Sequence, residues 1–160
     1  MSQKQLRVAV IGYGWWGKTI VATLQESKFI KVEMVVEQET LARDAAKALG
    51  EKTNFQVSDL YEDAVSNPNV DAVILCTPHK LHSAQIAAAA KAGKHVFCEK
   101  PLCLTLDDAI AAVSACKAAG VLLGIGHERR FEPAIMDLRK RIADGELGTI
   151  LQIEGNFSQD

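Results

Sequence analysis

Residues 12–19 read Gly12-Tyr-Gly-Trp-Trp-Gly-Lys-Thr19, and this stretch fits two phosphate-binding patterns at once. Gly12, Gly14 and Gly17 make G-x-G-x-x-G, the turn that receives a dinucleotide pyrophosphate. Gly12, Gly17, Lys18 and Thr19 make G-x-x-x-x-G-K-[ST], the loop that wraps a nucleoside triphosphate. An apolar run, "LRVAVIG", leads into the glycines and a helix-like run, "WGKTIVATLQES", leaves them. Both patterns want that context, so the decision rests on other residues.

Three features favour the dinucleotide turn. A triphosphate loop points consecutive N–H groups inward around one phosphate, a wrap that Trp15 and Trp16 are too bulky to make. In a dinucleotide turn these positions already begin the helix, where large side chains can point away. Glu37 ends the second apolar run, "KVEMVVE", about twenty residues beyond Gly17, where a carboxylate accepts hydrogen bonds from an adenosine ribose. The stronger run "VDAVILC" ends in Cys76-Thr77 and offers no acidic ligand for a magnesium ion. Glu37 repels a 2′-phosphate, and Gln38 and Glu39 beside it supply no cation. NAD is therefore the expected cofactor, with NADP less favoured. The remaining alternatives are a solvated strand end at Glu37, a module that senses NAD(H) without chemistry, and an ATP-dependent enzyme.

Outward from the glycines, strand-like and helix-like runs alternate. "TLARDAAKALG" reads as a helix with Gly50 as its C-cap, and "SDLYEDAVS" as a short helix opened by Ser58. "HSAQIAAAAKAG" is an alanine-rich helix closed by Gly93. "TLDDAIAAVSACKAAG" carries Thr105 and Asp108 at capping-box spacing and ends on Gly120. "EPAIMDLRKRIADG" has Pro133 in its first turn and Gly145 after its last. Parallel neighbours need crossover connections, so this order predicts an α/β, Rossmann-type doubly wound parallel sheet with its functional loops at the carboxyl edge. The last residues, "GELGTILQIEGNFSQD", alternate instead, with Leu151, Ile153 and Phe157 on one side. They read as the first strand of a second, antiparallel sheet, or as an added edge strand on the first. The expected division is a dinucleotide-binding domain over 1–146 and the start of a substrate and oligomerisation domain over 147–160.

Composition narrows the partners. A net charge of −2 gives no electrostatic reason to expect nucleic acid or an anionic membrane, and no apolar run is long enough for a transmembrane helix. Cys76, Cys98, Cys103 and Cys116 form no C-x-x-C and find no histidines at zinc spacing. They read as reduced thiols of a cytoplasmic protein without a metal site.

The block "CTPHKLHSAQIAAAAKAGKHVFCEKPLCLT" resembles the central segment of the Gfo/Idh/MocA oxidoreductases, in which a Thr-Pro loop, a histidine, an alanine-rich helix and Glu-Lys-Pro follow in order. "GHERRFEPAI" resembles that family's Arg-Phe-x-Pro segment through Arg130, Phe131 and Pro133. The resemblance implies NAD(P)-dependent hydride transfer at a hydroxyl-bearing carbon of a sugar, cyclitol or related compound. It implies that Gly12, Gly14 and Gly17 hold the pyrophosphate, that Thr77, Pro78 and His79 line the cofactor cleft, and that Glu99 reaches the nicotinamide ribose. Lys100 would face the nicotinamide and substrate hydroxyl as the catalytic proton relay or electrostatic orienter. His82 would border the same site or serve loop architecture, and Arg130 would touch substrate or brace the last crossover. Trp15 is expected outward near the phosphates and Trp16 in the cleft beside the nicotinamide. Relatives continue into an antiparallel-sheet domain that supplies substrate contacts and a homo-oligomer interface, so this chain is expected to bind NAD with little turnover of its own.

Overall fold

The computed structural model of the chain describes residues 5–155. Backbone contacts divide the chain between Gly126 and His127 into two compact units.

In the first unit, six strands form one sheet. They are β1 (Leu6–Ile11), β2 (Ile30–Val36), β3 (Gln56–Ser58), β4 (Ala72–Leu75), β5 (His95–Cys98) and β6 (Leu123–Ile125). Between them run the helices α1 (Trp15–Gln25), α2 (Thr40–Thr53), α3 (Tyr61–Ser66), α4 (His82–Lys91) and α5 (Leu106–Ala119). The strand order is β3-β2-β1-β4-β5-β6 and every pair is parallel. The order reverses between β1 and β4, and in such sheets a crevice opens beyond the carboxyl ends at that point.

Both faces of the sheet are covered, which explains the near-continuous apolar runs. Val8, Val10, Val35 and Ile74 pack with Val21 of α1 and Ala46 of α2. Ala9, Ile11, Val73 and Leu75 pack on the other face with Ala64, Ile86, Ala89 and Ala112. The alanines let the backbone of α4 approach β4 and β5 and let α5 pack closely on α4. Thr105 caps α5 by accepting from Asp108 N at 3.1 Å, and Gly120 ends it in the left-handed conformation at φ 67°, both as the sequence predicts.

Three expectations need correction. Ser58 does not open α3; it ends β3, and the helix starts at Tyr61 after Leu60. α2 does not stop at Gly50; it runs to Thr53 and ends on Asn54 at φ 61°. Gly50 lies inside the helix because a Cβ there would sit 2.7 Å from the carbonyl oxygen of Phe55, whose chain folds back against it. The seventh strand is not formed among the described residues, either on this sheet or in a second one. Leu151 and Ile153 are 92% and 75% exposed, and no described residue offers the segment a ladder. A strand needs a neighbour to satisfy its backbone, and alternation alone does not supply one. Phe157 lies outside the described residues.

The second unit contains a 3-10 turn, Glu128–Phe131, and helix α6 (Pro133–Ala143). Pro133 occupies the first turn of α6 and Gly145 follows it at φ 76°, as expected. Arg141 pairs with Asp137 at 2.7 Å and Glu146 at 3.3 Å, both pairs being half exposed.

Candidate cofactor-binding site

The three glycines of the opening motif are required for three different reasons. Gly12 follows β1 at φ 92°, and a Cβ there would lie 2.7 Å from the carbonyl oxygen of Cys76. Gly17 lies in the first turn of α1, where a Cβ would come within 2.0 Å of the Gly12 oxygen. Gly14 is the N-cap of α1 in extended backbone at φ −66°, and its Cβ position meets nothing within 4 Å. The first and third glycines are explained by the protein's own packing. The space over the second is open, at a helix N-terminus whose N–H groups and dipole favour an anion. That cradle fits a dinucleotide pyrophosphate.

It does not fit a triphosphate loop. Trp15 and Trp16 are already helical, and the Thr19 hydroxyl donates to Trp15 O at 3.1 Å rather than standing free for a metal. Lys18 Nζ lies 5.7 Å from the ring centroid of Tyr13, a packing position. Trp15 is 79% exposed, and its ring stands 5.4 Å from that of Trp16. Trp16 is half-buried, and its indole N–H is buried with no partner among the described residues.

A cleft of about 590 Å³ opens at the carboxyl ends of β1, β2 and β4, lined among others by Gly12, Gly14, Glu37, Cys76, Thr77 and Pro78. Glu37 ends β2 inside it. Its carboxylate accepts from Tyr13 N at 2.5 Å and from Glu39 N at 2.9 Å, so it locks the glycine turn to the turn before α2. Each oxygen keeps a lone pair for another donor. Glu37 is therefore held in place on the floor of the cleft and is not a loose, solvated strand end.

Sequence reasoning named the neighbours of Glu37 but missed the cap that Glu39 makes and the reach of Arg43. Glu39 caps α2, accepting from Leu41 N at 3.0 Å and Ala42 N at 2.7 Å. Those bonds, with Lys18 and Arg43 nearby, hold its carboxyl below the usual range. Arg43 reaches back to donate to Gln38 O at 3.1 Å and pairs with Asp59 at 3.4 Å. Asp, Asn, Ser and Thr are the usual cap signals, and a glutamate in that place gives none.

On the far side of the switch point, the Thr77 hydroxyl donates to Gln85 Oε1 at 2.5 Å, and the Tyr61 hydroxyl donates to Gln85 O at 2.7 Å. Burial pushes the Tyr61 phenol above its ordinary range. Gln85 also lines the cleft, and its spacing carries no motif that would have found it. Pro78 and His79 are exposed at the start of the 3-10 turn His79–Leu81.

His82 is wholly buried and is not a cleft residue. Its Nε2 lies 2.9 Å from Thr77 O, and its Nδ1 lies 3.0 Å from Pro101 O and 3.3 Å from Leu102 O. The ring is a strut between the Thr-Pro loop and the Glu-Lys-Pro loop, the architectural half of its expected role. A cofactor cannot reach it, which corrects its place among the binding residues.

Glu99 follows β5 and is only 8% exposed, its carboxylate accepting from Lys100 N at 3.3 Å. Burial, reinforced by that charge, pushes the Cys76 thiol up to about 12. Lys100 is exposed and precedes Pro101 through a cis peptide bond. Glycine turn, Glu37, Thr77-Pro78 and Glu99-Lys100 thus all stand at the carboxyl edge of one sheet. Arg130 lies on the 3-10 turn of the second unit and is exposed there. All four cysteines are free thiols, and no cluster of His, Cys, Asp or Glu among the described residues could hold a metal ion. No helix among them is long and apolar enough to cross a membrane.

A second cleft, about 490 Å³, lies at the opposite end of the strands. Its polar groups already serve the fold. Lys94 donates to Asn67 O and Val70 O at 2.8 and 2.7 Å, and Asp71 pairs with Arg7 at 2.7 Å.

Comparison with known proteins adds the following. A family model described as "Oxidoreductase family, NAD-binding Rossmann fold" (GFO_IDH_MocA) matches residues 6–127. The scyllo-inositol 2-dehydrogenase (NAD(+)) of Bacillus subtilis (strain 168) is 36% identical, over 99% of this chain and 46% of its own length. The myo-inositol 2-dehydrogenase of Thermotoga maritima is 36% identical over 89% of this chain and 42% of that protein. The crystal structure of a probable dehydrogenase from Thermotoga maritima superposes with a TM-score of 0.82 at 33% identity, covering 89% of this chain and 42% of that one. The chain spans less than half the length of these relatives.

Proposed function

The chain belongs to the Gfo/Idh/MocA oxidoreductase family as its NAD-binding Rossmann domain, and on that premise we propose that it is the cofactor half of an enzyme oxidising or reducing a hydroxyl-bearing carbon of a polyol or sugar-like compound. The observation that carries this reading is the open cradle over Gly14, with Gly12 and Gly17 closed by packing on either side. When bound, the nicotinamide supplies or receives the hydride. The chain's residues bind, orient and handle the proton.

The N–H groups at the start of α1 hold the pyrophosphate, and Trp15 stands outward beside it. Glu37 accepts from the adenosine ribose diol. Thr77 and Pro78 line the cleft beyond the switch point, with His79 exposed next to them and Thr77 fixed by Gln85 and by the His82 strut. Glu99 reaches the nicotinamide ribose. Lys100, exposed next to it, exchanges a proton with the substrate hydroxyl or orients it electrostatically. Trp16 lies beside the nicotinamide.

NAD is preferred over NADP on physical grounds. A 2′-phosphate would meet Glu37, and the helix N-terminus beside it is already taken by Glu39 on Leu41 N and Ala42 N. Arg43, the first cation after Glu37 in sequence, is committed to backbone carbonyls and Asp59. The two inositol dehydrogenases at 36% identity support a cyclitol or related substrate. We place the end of the cofactor domain at residue 146, with 147–160 opening a second domain that completes the substrate site and a homo-oligomer interface in the cytoplasm.

Tryptophan emission tests the reading. NADH should quench it, and Trp16→Phe should remove most of the response while Trp15→Phe removes little. An emission unchanged by saturating NADH would overturn the site assignment.

A further inference from the structure

Gly126 follows β6 and donates its N–H to Cys98 O at 2.8 Å, extending the β5–β6 ladder by one step. Nothing in its backbone asks for glycine, because it is absent from the residues at positive φ. The three nearest atoms that a side chain there would meet all belong to one group. A Cβ on Gly126 would stand 2.6 Å from Glu99 Oε1, 2.8 Å from Oε2 and 2.8 Å from the carboxyl carbon. The whole carboxylate faces the place that a Cβ would take.

Glu99 is anchored at its main chain, where its N–H donates to Leu75 O at 3.0 Å. Its carboxylate has little else. It is 8% exposed, and among the described residues its one side-chain hydrogen bond, from Lys100 N, is long at 3.3 Å. A buried charge with a single weak bond is held by shape more than by partners. Any atom added at 126 pushes it toward another rotamer, since carbon and oxygen do not approach so closely.

We propose that Gly126 is a positioning residue for Glu99, its missing side chain forming the seat that aims the carboxylate across the cofactor cleft. The proposal rests on the reading above that Glu99 reaches the bound cofactor. It adds a residue that motif comparison leaves unexplained, and it gives that glycine a role through Glu99 alone.

The test is a double-mutant cycle in the intact chain, with NADH affinity and thermal stability measured for Gly126→Ala, Glu99→Ala and the pair. Gly126→Ala should weaken NADH about tenfold or more, the scale of one hydrogen bond to a charged group. The pair should bind no worse than Glu99→Ala. Gly126→Ala should also lower the melting temperature when Glu99 is present and raise or leave it unchanged when Glu99 is alanine. If Gly126→Ala binds NADH normally while Glu99→Ala does not, the positioning role is refuted and the Glu99 assignment stands. If Glu99→Ala itself binds normally, the Glu99 assignment fails, and the aiming role fails with it. The stability coupling would then show only whether the two residues share a seat. Should Gly126→Ala not fold, a folded pair supports the seat, and an unfolded pair places the clash elsewhere and overturns it.

Discussion

Replacing Gly14 and Gly17 by alanine, one at a time, separates ligand space from packing space within four residues of sequence. At Gly17 the new Cβ would lie 2.0 Å from Gly12 O, against an ordinary carbon–oxygen approach of about 3.3–3.6 Å. The opposing atom is backbone at the end of β1, so α1 would have to withdraw by more than an ångström. Overpacking of side chains costs about 1–3 kcal/mol, and a backbone clash belongs at the top of that range. For a domain of this size, about 3 kcal/mol lowers the melting temperature by roughly 10 °C. At Gly14 the Cβ meets nothing within 4 Å and φ is −66°. Lost N-cap preference and reduced unfolded-state freedom oppose each other there, so stability should stay within about 1 kcal/mol of wild type. NADH affinity should nonetheless fall about 30-fold, because a methyl in the cradle costs on the order of 2 kcal/mol. Circular dichroism melts and a fluorescence titration read both quantities. Full NADH affinity in Gly14→Ala would refute the placement of the pyrophosphate. An unchanged melting temperature in Gly17→Ala would refute the packing argument.

Further outcomes follow from the groups around the cleft. Glu39 has its carboxyl lowered by the N–H groups of Ala42 and Leu41, so its stabilising effect is complete above the unfolded carboxyl range and fades as pH falls through the folded value. Glu39→Gln should therefore melt below wild type at pH 7, with the gap closing as pH falls below the ordinary carboxylate range. Cys76 is pushed up to about 12, first by burial and then by Glu99. The folded state thus holds that proton more tightly, and the stability it contributes is complete below the unfolded thiol range and declines from there toward about pH 12. Iodoacetamide at pH 8 should leave Cys76 unmodified in the native chain and modify it in urea, as mass spectrometry would record. His82→Ala removes the ring between Thr77 O and Pro101 O. It should cost about 3 kcal/mol, from a cavity plus unpartnered carbonyls, and should weaken NADH as the two loops separate.

The alternation of strands and helices, and with it the parallel sheet, was legible because it depends on local patterns: β-branched runs, capping residues and glycine turns. Thr105, Gly120 and Pro133 announced their helix ends correctly, since a cap is a property of a few adjacent residues. Gly50 misled, because its reason is Phe55 pressing on it from beyond the helix end. The alternation at 148–155 misled differently, since a strand is a relation between two segments and the described chain supplies only one. The glycine motif identified its positions, but only the coordinates separate Gly14, which faces open space, from Gly12 and Gly17, which face backbone. Gln85 and Gly126 were invisible because each acts through a partner distant in sequence, and Arg43, a turn into its helix in the sequence, reaches back to the Gln38 carbonyl. His82 was assigned to the right loops, while its complete burial between three carbonyl groups required the tertiary structure.

The central claim, that the Gly14 cradle holds a dinucleotide with an unmodified adenosine ribose, is tested most directly by calorimetric titration of the chain with NADH, NADPH and Mg-ATP in parallel. NADH should bind at one site per chain, NADPH at least tenfold more weakly, and Mg-ATP without saturation over the same range. Binding of Mg-ATP without NADH, or of NADPH ahead of NADH, would contradict it.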